Sequence, residues 1–502
     1  MFHLRSSSNS MARKKKTIIR EGVDARGVGY YATPRFVADF LSKKMLKINP
    51  TGKKVLDPAV GKEELLDCFF ASGKSIDSFD IINYPKTGMS NFSQRDFLEV
   101  YMEYKDSFEE GFWIQQNSQN SFDYDYYICN PPYNCHEVDY IRNNKTKLKS
   151  YFSVGVHNMY SLFLSALIDI AKPDSLIGVI VADSFLTSNA HSKLREQILC
   201  ECAIHSVVLC PTSLFRASSA DVRTCILVLQ KGKYNQGLVE VLNRGASLSS
   251  FREDIENEKF ELVKLERLLL NTGHPTPQFV IGMNDEILRL FLDNKKLSDV
   301  FKCVTCISTG DDARYLSLEQ KPPYSVPFYK NPASHKFKGK ADAYLIDNYR
   351  DIALLDRNFM LRNKTLVGQE GIACSSMGLP FSAVYLPKGA VTGVNPTIFP
   401  SEEELHWLLS YLNSSLVTYL VRGVLIRTNM VTSGYINALP VPDFSEDIKL
   451  QLSMLAMDVL SEQKNPLDAV DEIDRILSKV LKMSASTSRG VKEFARNLNS
   501  RV

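Results

Sequence analysis

Between residues 27 and 232, short apolar runs alternate with stretches whose apolar positions recur at helical spacing. Thr33-Pro34 opens the first such stretch: Thr33 suits a helix cap, and Pro34 has the fixed φ of a first helical residue. Val37, Phe40, Leu41 and Met45 then fall on one face. Lys54 to Asp57 reads as a strand, followed by a loop and a helix with Leu65, Leu66, Phe69 and Phe70 turned inward. Further strands are predicted over 76–80, 126–129, 177–182, 204–210 and 224–229, with a helix over 161–171. This alternation predicts an α/β, Rossmann-like domain over 27–245 with a mainly parallel sheet covered on both faces. Such a sheet takes its ligands at the carboxyl ends of its strands.

The pattern changes afterwards. Residues 246–300 are charged and read as a connector with a helix over 284–292. Residues 301–445 combine Pro, Gly and aromatic residues with short mixed strands, which predicts a second, mixed α/β domain. Closing helices are expected over 446–482 and a mobile polar tail over 483–502. At the other end, residues 1–26 carry basic side chains and read as a flexible arm.

Composition narrows the picture only a little. A chain of 502 residues has room for several domains. Its 60 Lys and Arg against 57 Asp and Glu exclude a chain basic throughout, although a local basic surface stays compatible with that balance. Ten cysteines are too sparse for a secreted disulfide scaffold, and Cys303-Val304-Thr305-Cys306 has no second pair at zinc-ribbon spacing. Reduced thiols and no metal are therefore expected. The greasiest stretch, 408–426, is interrupted by Asn413, Ser414, Ser415, Thr418 and Arg422, too polar for a spanning helix. With no apolar signal core after the first charges, a cytoplasmic protein is expected.

The chemistry concentrates at predicted strand ends. Asn130-Pro131-Pro132-Tyr133 follows the strand 126–129, and its two prolines end the ladder at once. Asn130 offers a carbonyl acceptor beside the proline carbonyls, a pair suited to a planar amino group, and the Tyr133 ring suits stacking on a base. Asp57-Pro58-Ala59-Val60-Gly61 closes the first strand in a turn that lets backbone approach a ligand. Asp80 ends the next strand, near the spacing at which an acid accepts ribose hydroxyls. Asp96-Phe97 adds an acceptor and a ring suited to an adenine.

In this order the motifs resemble the gamma class of amino-group DNA methyltransferases that use S-adenosylmethionine. Gly29-Tyr30-Tyr31-Ala32-Thr33-Pro34 resembles the family's opening motif, which implies that Tyr31 and Thr33 close over the methionine part of the cofactor. Asp57, Ala59 and Gly61 are similar to the cofactor loop, and Asp80, Asp96 and Phe97 take the positions of the ribose and adenine contacts. Asn130, Pro131, Pro132 and Tyr133 match the catalytic tetrapeptide in its adenine-N6 form, and Phe215 resembles the aromatic on the other side of the target base. The resemblance extends over 301–445 as a target-recognition domain. It implies double-stranded DNA as partner, with Lys336, Lys338, Lys340, Arg422 and Arg427 as expected DNA contacts. A separate restriction endonuclease partner and a solitary methyltransferase both fit the resemblance.

One departure stands out: Glu63 occupies the usual second glycine of the cofactor loop. A side chain there is expected either to crowd the methionine end of the cofactor or to cap the following helix. Two rival readings follow. One is a DNA-binding relic of the family that has lost activity. The other is a glutamine-N5 protein methyltransferase, which shares the tetrapeptide but carries its extra domain in front.

Overall fold

The computed structural model describes residues 31–84, 89–109, 122–133, 139–215, 223–232, 237–245, 247–272, 276–332, 335–377, 380–426 and 430–498. The basic arm 1–26 and Arg427 lie outside them. The chain divides into two compact units: residues 1–185 with 189–267, and residues 186–188 with 268–502.

The first unit is built on one nine-stranded sheet. Its strands are β1 (Lys54–Asp57), β2 (Ser75–Asp80), β3 (Asn91–Gln94), β4 (Tyr126–Cys129), β5 (Leu176–Ala182), β6 (Cys202–Leu209), β7 (Thr224–Lys231), β8 (Leu238–Leu242) and β9 (Glu261–Lys264). Their order is β3-β2-β1-β4-β5-β7-β6-β8-β9. The first five run parallel, and β7 is antiparallel to both β5 and β6. This is the mainly parallel α/β sheet that the alternation predicts.

The central strand β5 reads Leu-Ile-Gly-Val-Ile-Val-Ala and is almost wholly buried, as a strand covered on both faces must be. Helix α1 (Arg35–Ile48) covers it through Leu41 and Met45. Their side chains press on the strand at Gly178, where any Cβ would collide with the Met45 sulfur. Phe40, expected on that same face, instead stacks on Phe260 with centroids 5.5 Å apart.

Two boundaries need correction. The first unit extends to 267 rather than 245, because β9 pairs antiparallel with β8 and draws the intervening helix, Leu248–Glu256, with it. Ladder hydrogen bonds between non-adjacent segments leave little mark on composition, so the stretch looks like a connector. The expected mobile tail is likewise structured. Ser484 caps a helix over Ala485–Asn497, accepting from the Thr487 amide at 3.2 Å. In that helix Val491 is buried, and Phe494 packs edge-on against Tyr419, 5.1 Å between centroids.

The second unit mixes small sheets with helices. One four-stranded sheet joins Cys303–Val304, Thr397–Ile398, Gly371–Cys374 and Ala383–Leu386. A helix over Glu402–Asn413 packs its Leu405, Leu408 and Leu412 into the same core as Leu452 and Ala456 of the helix Glu446–Leu460. Ser414 breaks the greasy stretch by starting a new helix, accepting from the Val417 amide at 3.1 Å. Among the described residues no helix is long and apolar enough to cross a membrane.

Candidate active site

The parallel strands of the first unit deliver their polar ends into one cavity. It is lined by Asp57, Ala59 and Gly61 after β1, Asp80 at the end of β2, and Asp96 and Phe97 after β3. Asn130 and Pro132 after β4, with Tyr31 and Thr33 ahead of α1, complete the predicted part of the wall. Pro131 and Tyr133 are outside that lining.

Each carboxylate is held by backbone amides. The Asp57 Oδ1 accepts from the Ala59 amide at 3.1 Å, closing the turn that the strand-end proline begins. Gly61, at φ +53°, donates its amide to Asp80 Oδ2 at 2.9 Å, and Ile82 donates to Asp80 Oδ1 at 2.9 Å. The loop after β1 and Asp80 thus fix one another. Asp96 Oδ1 accepts from the Leu98 amide at 2.9 Å, at the start of the helix Phe97–Glu109.

Asn130 is fastened in the same manner. Its Nδ2 donates to the Tyr31 carbonyl and to Thr33 Oγ1, both at 3.0 Å. These acceptors decide the amide's orientation, leaving Oδ1 to face away from the 31–33 segment. Thr33 therefore serves Asn130 and not the helix cap expected of it; α1 starts after Pro34 with no side-chain cap. The Tyr133 hydroxyl lies against Asn130 Oδ1 and, at 3.1 Å, against the Ile180 carbonyl of β5. Burial pushes that hydroxyl well above the usual tyrosine range, so it stays a neutral donor. Burial also raises the Cys129 thiol, with Asp57 and Asp80 adding to the effect, which makes it a poor nucleophile.

Three rings meet beside Asn130. Tyr31 and Tyr133 are 5.4 Å apart between centroids, Tyr31 and Phe215 6.1 Å, and Tyr133 and Phe215 5.9 Å.

Glu63 follows neither expectation. It sits at φ +65° and is buried, and its Oε1 accepts from both the amide (3.2 Å) and the hydroxyl of Ser90. The neighbouring Glu64, not Glu63, lines the cavity. The left-handed backbone turns the Glu63 side chain toward the β3 side of the loop, which removes it from both predicted places.

Two of the lysines expected to contact DNA, Lys336 and Lys338, are engaged within the second unit. Lys336 sends its ammonium inward to the Asn413 carbonyl at 2.7 Å, and burial lowers its pKa to about 8. Lys338 pairs with Glu462. The cause is Phe337, fully buried at φ +63°, whose amide and carbonyl bond to Ala383 and Tyr385 at 2.9 and 2.8 Å. Docking that ring directs Lys336 onto the Asn413 carbonyl, while the Lys338–Glu462 pair is exposed. Lys340 is exposed, and Arg422 is half-buried in the turn Leu420–Leu425.

Several cavity residues escape the sequence reading: Tyr84, Arg95, Tyr140, Met159 and Phe163. Tyr140 bonds through its hydroxyl to the Asp96 carboxylate, and burial together with that charge raises its pKa. Phe163 packs on Phe97, 5.3 Å between centroids. Only the apolar run of the helix Met159–Ile170 hints at Met159 and Phe163; nothing local marks Tyr140.

Residues 94–268 match the N-6 DNA methylase family, a span that contains Asp96, Asn130 to Tyr133 and Phe215. Similar solved structures include the DrdV–DNA complex, with 12% identity, 87% of this chain and 57% of that one covered, and TM-score 0.54. The ATP-dependent Type ISP restriction-modification enzyme LlaBIII bound to DNA has 11% identity, 86% and 39% coverage, and TM-score 0.53. A nuclease-deletion mutant of the Type ISP enzyme LlaGI, in complex with a DNA substrate mimic, has 12% identity, 85% and 55% coverage, and TM-score 0.52. The chain thus spans between two fifths and three fifths of the length of these proteins, and the likeness is one of fold. The family likeness therefore rests on the matched segment 94–268, about a third of the chain.

Proposed function

We propose that this chain is a site-specific DNA methyltransferase acting on adenine N6 in double-stranded DNA, with S-adenosylmethionine as donor, in the modification arm of a restriction-modification system. The observation that carries the reading is Asn130, oriented by Tyr31 and Thr33 at one wall of a cavity whose other walls hold Asp80 and Asp96. The family match, the DNA bound to DrdV and LlaBIII and the DNA substrate mimic bound to LlaGI support DNA as the partner.

The residues suit that cofactor. The amides of Gly61 and Ile82 orient the Asp80 carboxylate at the cavity wall, where it suits a ribose hydroxyl. Phe97 and Phe163 give an apolar wall for a purine, with Asp96 beside them for its amino group. Glu63 is turned away, so the departure from glycine gives no support to an inactive relic. Bound there, S-adenosylmethionine would supply an electrophilic methyl group and leave as a neutral thioether.

An adenine amino group is a weak nucleophile and is stacked inside duplex DNA, so the base must be flipped out. Asn130 Oδ1 and the Pro131 carbonyl accept its two amino hydrogens and turn the nitrogen lone pair toward the donor. The amino group then replaces the Tyr133 hydroxyl on Asn130 Oδ1, and Tyr133 keeps its second acceptor, the Ile180 carbonyl. Tyr133 and Phe215 hold the base by stacking, worth about 1–3 kcal/mol per base. A base sandwiched between two rings needs roughly 7 Å between them. The Tyr133–Phe215 spacing of 5.9 Å must therefore widen as the base enters. The methylated nitrogen then carries the positive charge and sheds one of its two protons to water; since the leaving group is a neutral thioether, positioning and not a strong base carries the rate.

Tritium transfer from labelled S-adenosylmethionine to DNA, with the product base identified as N6-methyladenine, tests the reading. Asn130→Ala is expected to lower kcat about 100-fold or more, the size seen when a preorganised transition-state contact is removed. DNA binding should stay within a few-fold. Wild-type protein that binds the cofactor yet transfers no methyl to any DNA overturns the proposal.

A further inference from the structure

Phe215 reaches the aromatic cluster from a loop that leaves β6 at Cys210, and the chain re-enters the sheet at Thr224. Hydrophobic packing holds the ring but sets no fine position for a loop. Both ends of this one are tied to a single buried ion pair. Arg244, just beyond β8, donates from Nη1 to the Cys210 carbonyl and from Nη2 to Asp183 Oδ2. The Asp183 side chain is 1% exposed and the Arg244 side chain 11%. The Asp183 amide in turn donates to the Arg223 carbonyl at 3.0 Å, and the Cys210 amide to the Thr224 carbonyl at 2.9 Å. Asp183 directly follows β5, whose Ile180 carbonyl receives the Tyr133 hydroxyl.

One guanidinium therefore joins the strand end that supports Tyr133 to the loop that carries Phe215. Taking two charges out of water costs more than packing apolar groups of similar size, so such a pair is a poor device for stability alone. Its two-armed geometry is what an apolar pair cannot supply. We infer that Arg244, braced by Asp183, is a positioning residue for methyl transfer: it fixes the 210–215 loop so that Phe215 faces Tyr133 across the target adenine. This rests on the adenine slot proposed above.

A double-mutant cycle in the full chain tests it. Arg244→Lys keeps the charge and loses the fork. It is expected to lower kcat on DNA about 10-fold, within the range that a small misplacement of reacting groups produces. Cofactor affinity should stay within about twofold, since Arg244 is outside the cavity lining. Phe215→Ala should lower kcat by more, and adding Arg244→Lys to it should cost nothing further, because the arginine acts through the ring. Asp183→Asn, which keeps a hydrogen bond to Arg244, should fall between wild type and Arg244→Lys. Hydrogen exchange supplies a readout that needs no activity: amides 210–215 should exchange faster in Arg244→Lys, with those of β4 unchanged. Additive losses in the cycle, equal loss of cofactor binding, or unchanged exchange overturns the inference. A wild-type protein without methyl transfer overturns the functional reading instead, and the exchange measurement still decides whether the brace exists.

Discussion

The cavity carboxylates of the first unit and the lysine segment 336–340 of the second invite one reading from sequence: charged groups waiting for a ligand. In the folded chain they are opposites. Asp57 and Asp96 are held by amides of their own loops, and Asp80 by Ile82 of its own loop and Gly61 of the loop after β1. Lys336 and Lys338 have instead given their ammonium groups to acceptors within their own unit. A strand-end acid bonded to backbone is oriented at the cavity wall, whereas a lysine drawn inward as Lys336 is serves its own unit. The distinction is one of stem length as well. Aspartate is short enough to be fixed by the amide two residues on, while a lysine stem reaches whatever acceptor its neighbours dock against.

The largest expected effect on that contrast comes from Asp80→Ala. Hydrogen bonds to a charged group are worth about 1.5–3 kcal/mol, so cofactor affinity should fall roughly 10- to 100-fold by titration calorimetry. Thermal stability should change little by comparison, since Gly61 and Ile82 lose one acceptor each at a cavity wall that water can reach. A variant that melts early but still binds the cofactor at wild-type affinity when folded would place Asp80 with the structural lysines.

Lys336 should show the converse, in stability and not in binding. Its stem reaches the surface, but the ammonium is enclosed, and burial lowers its pKa from 10.5 to about 8, with Asp474 opposing the shift. Between those values the unfolded chain binds a proton that the folded chain has lost, so stability rises with pH across about 8 to 10.5. Below pH 8 both states are protonated and the group's contribution is flat at its least favourable value. Urea unfolding at pH 7.5 and pH 10 should differ by roughly 1–3 kcal/mol from this group, and the difference should shrink in Lys336→Met. DNA affinity at pH 7.5 should move less than threefold in that variant. A loss of DNA binding with an unchanged stability profile would return Lys336 to the role read from sequence.

What the chain discloses before folding follows the same division. The sheet is legible because β4 and β5 are unbroken apolar runs and β7 holds one over Cys225 to Leu229, and Asp57, Asp80 and Asn130 are legible because strand ends are. Tyr140 is not, since it meets Asp96 from a helix, Asp139–Tyr151, that no motif announces. Nor is the Asp183–Arg244 pair, whose members are far apart in sequence and joined only by sheet order. The extension of the first unit to 267 and the helix over 485–497 were hidden for a related reason. Their partners are remote, and polar outer faces dominate their composition.

Glu63 carries the smallest expected effect and the sharpest test of where the carboxylate rule ends. It is a further acid on the loop after β1, yet its oxygen serves Ser90 and its side chain is absent from the cavity lining. At φ +65° a glycine relieves backbone strain of about 1 kcal/mol, while loss of the Ser90 hydrogen bonds costs a similar amount. Glu63→Gly should therefore change stability by less than about 1 kcal/mol. Cofactor affinity should stay within about threefold, because the wall beside Gly61 is formed by Glu64. A tenfold gain in affinity on restoring glycine would show that Glu63 does crowd the bound cofactor, and that the loop opens onto its ligand in a conformation other than this one.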